Sequence, residues 1–329
     1  MQRYSVEEST FKSAKTYILK DSKAKLRATF LPEMGSQLIS LYSEELGVEF
    51  IKGPESLEDR TTGIGFPILM PPNRIENGRF TFDGREYKLD INERGRENHI
   101  HGFVHNKPWR VKDIGADRRG AWIETVIRSI DEVYITRQFP HDFELSMKYF
   151  LKDGALKITS RCINKGEDAM PFGIGFHPYF KAPLSENSSK SMCSINVPAN
   201  KVWELKECIP TGRLIDLKGD PKDLRDGASL EGMLLDDVYT DLENQGDGSA
   251  CQYIDQGTKV GLRFTADSQF LHWVIYSGKT IDADFICLEP YTWVTNAPNL
   301  HIPSSITGFR ALAPNEEFIG EMELSFFRI

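Results

Sequence analysis

Phe143-Glu144-Leu145-Ser146-Met147-Lys148-Tyr149-Phe150-Leu151-Lys152-Asp153-Gly154-Ala155-Leu156-Lys157-Ile158-Thr159-Ser160-Arg161-Cys162 decides the fold class. Phe143, Leu145, Met147 and Tyr149 alternate with polar or charged residues. Side chains of an extended chain point to opposite faces in turn, so this spacing makes one buried face. Asp153-Gly154 then supplies two residues tolerant of positive φ, and a second alternating run follows. That order predicts a β-hairpin with a two-residue turn.

The same device recurs in Phe80-Thr81-Phe82, Asp83-Gly84 and Tyr87-Lys88-Leu89. Further strand-like runs are Lys25 to Phe30, Trp122 to Ile127, Val260 to Phe264, Leu271 to Tyr276 and Met322 to Phe326. Helical periodicity is scarce, and the best helix candidates are short, at Ser56 to Asp59 and Pro221 to Arg225. Many short strands punctuated by Gly, Asp and Asn predict an all-β chain forming a large antiparallel sandwich. Pro183 to Ser191 and Asn244 to Ser249 read as surface excursions, and no Pro/Ser/Gly-rich linker divides the chain. One domain over 1–329 is the expectation.

The composition narrows the function classes. The chain has 329 residues, 40 Lys+Arg against 48 Asp+Glu, and a formal net charge of −8. With 27% charged residues and 20 Phe it has the balance of a folded globular protein. Acidic excess argues against general nucleic-acid binding, which needs cations to displace counterions. No run approaches the roughly 18 apolar residues of a membrane helix. Met1 to Lys20 lacks a continuous apolar core, so no signal peptide is expected. Five scattered cysteines (Cys162, Cys193, Cys208, Cys251, Cys287) without CxxC spacing imply free thiols and a cytoplasmic setting. Neither the sequence nor its acidic balance fixes the oligomeric state.

Three segments place reactive side chains inside apolar strand patterns. They are Asn73-Arg74-Ile75-Glu76-Asn77-Gly78 with Asn98-His99-Ile100-His101-Gly102, then Phe176-His177-Pro178-Tyr179-Phe180, then Phe285-Ile286-Cys287-Leu288-Glu289-Pro290. His177 is either a satisfied core histidine or a general acid, since imidazole titrates near neutrality. Glu289 ends an apolar run, where an unpaired carboxylate is costly. It is either bridged to an arginine such as Arg74 or a base tuned by its pocket. His99-Ile100-His101 puts two imidazoles on one face of an extended chain, a spacing used by metal sites. No third ligand stands at diagnostic spacing, so no metal is assigned. Asp236-Asp237 beside Leu234-Leu235 reads as a strand end or a ligand carboxylate.

In this order, the segments resemble the aldose 1-epimerase (galactose mutarotase) family. Phe30-Leu31-Pro32-Glu33-Met34-Gly35 looks like its first strand and turn, and Asn73-Arg74 with the Phe82-Asp83-Gly84 hairpin resembles its Asn-Arg motif. His101-Gly102 resembles Leu-His-Gly with Ile100 in place of Leu, and His177 to Phe180 resembles His-x-Tyr-Phe. Ile209-Pro210-Thr211-Gly212, Asp236 to Tyr239 and Leu288-Glu289-Pro290 complete the series. The resemblance implies an antiparallel β-supersandwich and interconversion of the α and β anomers of a hexose. It implies Glu289 as base, His177 as acid, and Arg74, His101 and Asp236 as sugar ligands, with Asp237 as the alternative register. It implies no cofactor, a small-molecule sugar partner, and no metal. The chemistry suits these types, because ring opening removes the C1 hydroxyl proton while the ring oxygen gains one.

Trp109, Phe176, Tyr179, Tyr291 and Trp293 are candidate stacking surfaces for the sugar. Phe172-Gly173-Ile174-Gly175-Phe176 departs from the Thr/Asn-containing version and looks like a divergent branch bordering on hexose-6-phosphate 1-epimerases. Such a substrate would require extra cations at the rim, for which Arg94, Arg96, Lys181 and Arg213 are candidates. A sugar binder without turnover is the competing class. A glycoside hydrolase would need two suitably separated carboxylates, for which only Asp236 or Asp237 could join Glu289.

Overall fold

The computed structural model describes residues 2–58, 63–243 and 246–329. The Asp153-Gly154 hairpin forms as expected: Phe143–Lys152 pairs antiparallel with Ala155–Asn164. Both turn residues take positive φ, 50° and 76°. The Asp83-Gly84 hairpin repeats this geometry with φ of 48° and 73°.

Among the described residues the first hairpin lies inside a nine-stranded sheet. Its spatial order is Arg110–Ala116, Ala121–Arg128, Phe143–Lys152, Ala155–Asn164, Glu317–Arg328, Val260–Asp267, Gly248–Asp255, Cys193–Asn196 and Ala228–Ser229. An eight-stranded sheet runs Ile209–Asp216, Ala199–Lys206, Asp236–Leu242, His272–Tyr276, Phe285–Tyr291, Gly175–Phe176 and Ile68–Leu69. Tyr179–Lys181 also joins it by pairing with Phe285–Tyr291. A five-stranded sheet is built from the chain between Tyr4 and Glu49.

Aromatic contacts join these layers. Phe264 of the nine-stranded sheet meets Trp273 of the eight-stranded sheet at 5.4 Å between ring centres. Phe30 of the five-stranded sheet meets Tyr149 at 4.5 Å. One apolar cluster runs from Tyr4 to Leu324. Burying such surface contributes roughly 25 cal/mol per Å² and is the main driving force for the sandwich.

Two helix expectations fail for one physical reason. At Pro221–Arg225 the chain turns: Lys222 N–H donates to Asp220 Oδ1 at 2.8 Å and Arg225 N–H to Asp223 Oδ1 at 3.2 Å. At Ser56–Asp59, Glu58 N–H donates to Ser56 Oγ at 3.2 Å, while Asp59 lies outside the described residues. Short polar side chains capture backbone donors that a helix would use. Single helical turns occur instead at Val133–Thr136 and Ser304–Thr307, too short to show a period in sequence. The expected excursion Asn244–Ser249 is also shorter than expected. Asn244 and Gln245 lie outside the described residues, Gly248 begins a strand, and buried Ser249 accepts from Trp273 Nε1 at 2.8 Å. No helix among the described residues is long and apolar enough to cross a membrane.

Candidate active site

Phe285–Tyr291 places the most reactive group. Period-2 geometry sends Ile286 and Leu288 to one face, where both are fully buried in the apolar cluster. Cys287, Glu289 and Tyr291 share the opposite face. Pairing of Tyr179 with Cys287 across Tyr179–Lys181 fixes where the preceding His177 stands. His177 N–H is anchored on Pro67 O at 3.0 Å. Its ring lies parallel to Tyr179 at 4.6 Å. The result is a His177 Nε2 to Glu289 Oε1 separation of 3.3 Å, with both side chains almost fully buried.

Glu289 Oε2 accepts a 2.6 Å hydrogen bond from the Tyr291 hydroxyl. Its Oε1 has no hydrogen-bond partner, and neither has His177 Nδ1. Burial pushes the Glu289 carboxyl well above the usual range, and the Tyr291 bond opposes that shift. Burial pushes His177 down to about 3. The acid–base roles implied by the resemblance need an imidazolium facing a carboxylate, whereas burial favours the neutral imidazole with a protonated carboxyl. Both forms hold one proton between the two groups, so they differ only in which partner carries it.

The Asn73-Arg74 and His101-Gly102 segments meet because Ile100 pairs with Arg74 and His99 with Ile75. His101 N–H donates to Asn73 O at 2.9 Å. Gly102 has φ of 67°, and a Cβ there would lie 2.0 Å from Met70 O, so only glycine allows this approach. His101 itself takes a φ of 66° and leaves the strand after Ile100. The shared-face reading of His99 and His101 therefore fails. His99 is buried with Nδ1 on Asp90 O at 2.7 Å, whereas the His101 ring meets His177 edge-on at 5.3 Å. Burial, then the neighbouring His177, holds His101 well below the ordinary imidazole range.

Arg74 does not bridge to Glu289. Its Nε and Nη2 donate to Glu93 at 2.9 Å each, in a two-pronged pair, with the two side chains only 12% and 16% exposed. Asn98 Nδ2 adds a 3.2 Å bond to Glu93. Desolvation is the largest influence on Arg74 and opposes its charge, but the Glu93 bonds together with the charges of Cys208, Glu93 and Asp236 raise its pKa overall. Arg74 still lies close enough to favour ionised Glu289 electrostatically.

Asp236 and Asp237 separate cleanly. Asp236 lines the cavity, and its carboxyl is raised first by desolvation and pulled back by Arg74. Asp237 points away into a 2.6 Å ion pair with Lys222. Glu289, His177, Arg74, His101 and Asp236 thus line one cavity of about 630 Å³, together with Asn73, Glu93, Arg96, Tyr179, Tyr276 and Lys279. That size suits a small ligand.

Of the five aromatic candidates, Tyr179 reaches the cavity. Trp109 is buried with Nε1 on Val104 O at 3.1 Å, and Trp293 packs on Phe309. Phe176 lies between Phe66 and Phe270, and Tyr291 serves Glu289. Of the four rim cations only Arg96 lines the cavity, already paired with Glu93 at 3.3 Å and Glu207 at 3.8 Å. Sequence reasoning missed Glu93, Tyr276 and Lys279. Glu93 sits in the charged run Glu93-Arg94-Gly95-Arg96-Glu97, which reads as a solvated surface. The hydroxyl of Tyr291 was detectable, since it stands two residues from Glu289 on a strand.

The aldose 1-epimerase family profile matches residues 16–325. The chain belongs to the aldose 1-epimerase family. A relative from Escherichia coli K12, the uncharacterized protein YphB, is 26% identical over 263 residues, 79% of this chain and 82% of its own. Galactose mutarotase of Sus scrofa is 27% identical over 280 residues, 78% of this chain and 76% of its own. The crystal structure of a galactose mutarotase-like protein from Clostridium acetobutylicum superposes with a TM-score of 0.93 at 26% identity, covering 100% of both chains. Galactose 1-epimerase from Lactobacillus acidophilus has the same fold, with a TM-score of 0.77 at 16% identity, covering 100% of this chain and 99% of its own. The family's fold is thus the antiparallel β-sandwich seen in this chain.

Proposed function

We propose that this protein is a mutarotase that interconverts the α and β anomers of a free hexose. The observation that carries the reading is the convergence of Glu289 Oε1 and His177 Nε2, 3.3 Å apart, in the cavity that also holds Arg74, His101 and Asp236. In this reading the proton shared by the pair passes from Glu289 to His177, so that Glu289 accepts the C1 hydroxyl proton and His177 delivers one to the ring oxygen. The ring opens, the C1–C2 bond rotates, and closure with the roles reversed gives the other anomer. Arg74, braced by Glu93, and Asp236 orient the hydroxyls, and neutral His101 offers a further polar contact. Each acid–base partner is expected to contribute roughly 10²–10⁴-fold in rate.

Free sugar is favoured over a phosphate ester because Arg96 is already occupied by Glu93 and Glu207, which leaves Lys279 as the cavity cation that a phosphate would have to use. Arg213 pairs with Glu204 instead, in a separate depression. The continuous apolar cluster supports one catalytic unit over 1–329. Five free thiols support a cytoplasmic setting.

Anomer exchange by NMR tests the proposal, starting from pure α-glucose, α-galactose and α-glucose 6-phosphate. Acceleration on a free sugar that disappears in Glu289→Gln is the expected result. Acceleration confined to the phosphate ester transfers the assignment to phosphosugars. Sugar affinity without acceleration on any aldose overturns it in favour of a binder.

A further inference from the structure

Behind the acid–base pair stands a third reactive atom that sugar chemistry does not use. Cys287 Sγ, a His177 ring nitrogen and a Glu289 carboxylate oxygen all lie within 4.8 Å of one another, and all three residues are buried. We infer that this trio binds a thiophilic divalent cation of the zinc class, and that the bound cation silences the acid–base pair.

The donor set is the first argument. Imidazole, thiolate and carboxylate are the ligands zinc takes, and three protein ligands leave a fourth position for water or a sugar oxygen. Tetrahedral bonds of about 2.0–2.3 Å require ligand atoms roughly 3.3–3.8 Å apart. His177 Nε2 and Glu289 Oε1 already stand 3.3 Å apart. The backbone holds the set in place, since Cys287 and Glu289 share a strand face and Tyr179 pairs directly with Cys287.

Charge is the second argument. A dication with one thiolate, one carboxylate and one neutral imidazole is a neutral unit. Burying a neutral unit avoids the cost of isolated buried charges. Glu289 Oε1 lacks a hydrogen-bond partner, so it has a lone pair to give. At the rim, Cys208 Sγ stands 3.7 Å from Asp236 Oδ2 but is half-exposed and adds no imidazole, which makes it an internal control.

The consequence for turnover rests on the mutarotase reading, whereas binding does not. A cation on His177 and Glu289 occupies the lone pairs that would exchange protons with the sugar. Inhibition is therefore reversible by a chelator and involves no redox step.

Metal-free protein titrated with Co²⁺ tests the site spectroscopically. The expected result is a thiolate-to-cobalt charge-transfer band saturating at one equivalent and displaced by Zn²⁺. The band disappears in Cys287→Ser and Cys287→Ala, each checked for folding by circular dichroism, and persists in Cys208→Ser. Zinc slows anomer exchange in the wild type and EDTA restores it. Relative to its own zinc-free rate, Cys287→Ser needs more zinc for the same effect, by at least the roughly 10–100-fold that loss of an outer-shell partner already costs. No charge-transfer band in the wild type, or one that survives loss of the Cys287 sulfur, overturns the site. Full-rate exchange in zinc-saturated protein overturns the inhibition. Should no sugar be turned over, the cobalt spectrum still decides the site independently.

Discussion

Replacing Tyr291 with Phe removes one oxygen and preserves the ring that packs against Gly175, where even a Cβ would lie 2.4 Å from Tyr291 Cδ1. What is lost is the 2.6 Å bond to Glu289. Once Glu289 is ionised, as a base must be, this short contact is a charge-assisted O–H···O⁻ bond. Such bonds contribute about 1.5–3 kcal/mol. The bond favours the ionised carboxylate, so its loss favours the protonated form and raises the Glu289 pKa. At 1.36 kcal/mol per unit the rise is about 1–2 units. Below its pKa the base is available only in its ionised fraction, so kcat/KM at acidic to neutral pH falls about 10–100-fold. Above the shifted pKa the rate returns close to wild type. The assay is the pH profile of kcat/KM for anomer exchange, read at its acid limb. A limb that stays in place refutes the assignment of Tyr291 as the group tuning the base, whether the rate falls uniformly or remains unchanged.

Three further outcomes follow from the same geometry. Glu93→Ala leaves the buried Arg74 cation unpaired; it is expected to lower stability by about 3 kcal/mol in denaturant unfolding and to raise KM more than it lowers kcat, with Glu93→Gln intermediate. Asp236→Asn is expected to raise KM in anomer exchange, whereas Asp237→Asn leaves kcat/KM near wild type and lowers the thermal midpoint modestly by releasing Lys222. His105, His141 and His272 are held at about 4 and His177 at about 3, in each case first by burial. The unfolded chain therefore binds more protons as the pH falls from about 6.5 towards 4, and each histidine withdraws up to about 1.4 kcal/mol per pH unit. Glu289, Asp236 and Asp267 have raised pKa values and work the other way, because the folded state keeps their protons. With His99 and His101, also lowered by burial, six imidazoles stand against three carboxyls and leave a net loss, read as a denaturation midpoint that falls as the pH is lowered from 6.5 to 4.5; a midpoint that rises over that change contradicts the assignment.

The strands and hairpins were legible because they are local. Alternation from Phe143 to Tyr149 needs only the two-residue repeat of an extended chain, and Asp153-Gly154 needs only its own φ values. The failed helices at Ser56 and Pro221 are local as well. There the side chains of Ser56, Asp220 and Asp223 competed for backbone donors, a contest that hydrophobic periodicity does not register.

The candidate site divides along the same line. Reactive groups inside apolar runs made Glu289 and His177 conspicuous in one dimension, whereas Arg74, His101 and Asp236 were singled out by the ordered motifs of the family resemblance. Choosing Asp236 over Asp237 required the strand register, since adjacent residues point to opposite faces and only pairing tells which face meets the cavity. Arg74 found Glu93 rather than Glu289, and Cys287 joined His177, through strand pairings between segments far apart in the chain. Proton affinities were decided last, by burial and by partners such as Tyr291. The sequence by itself determined which side chains were available and where the chain extends or turns; the tertiary structure alone decided which of them share a pocket, because desolvation and hydrogen bonding act through space between residues that the chain order keeps apart.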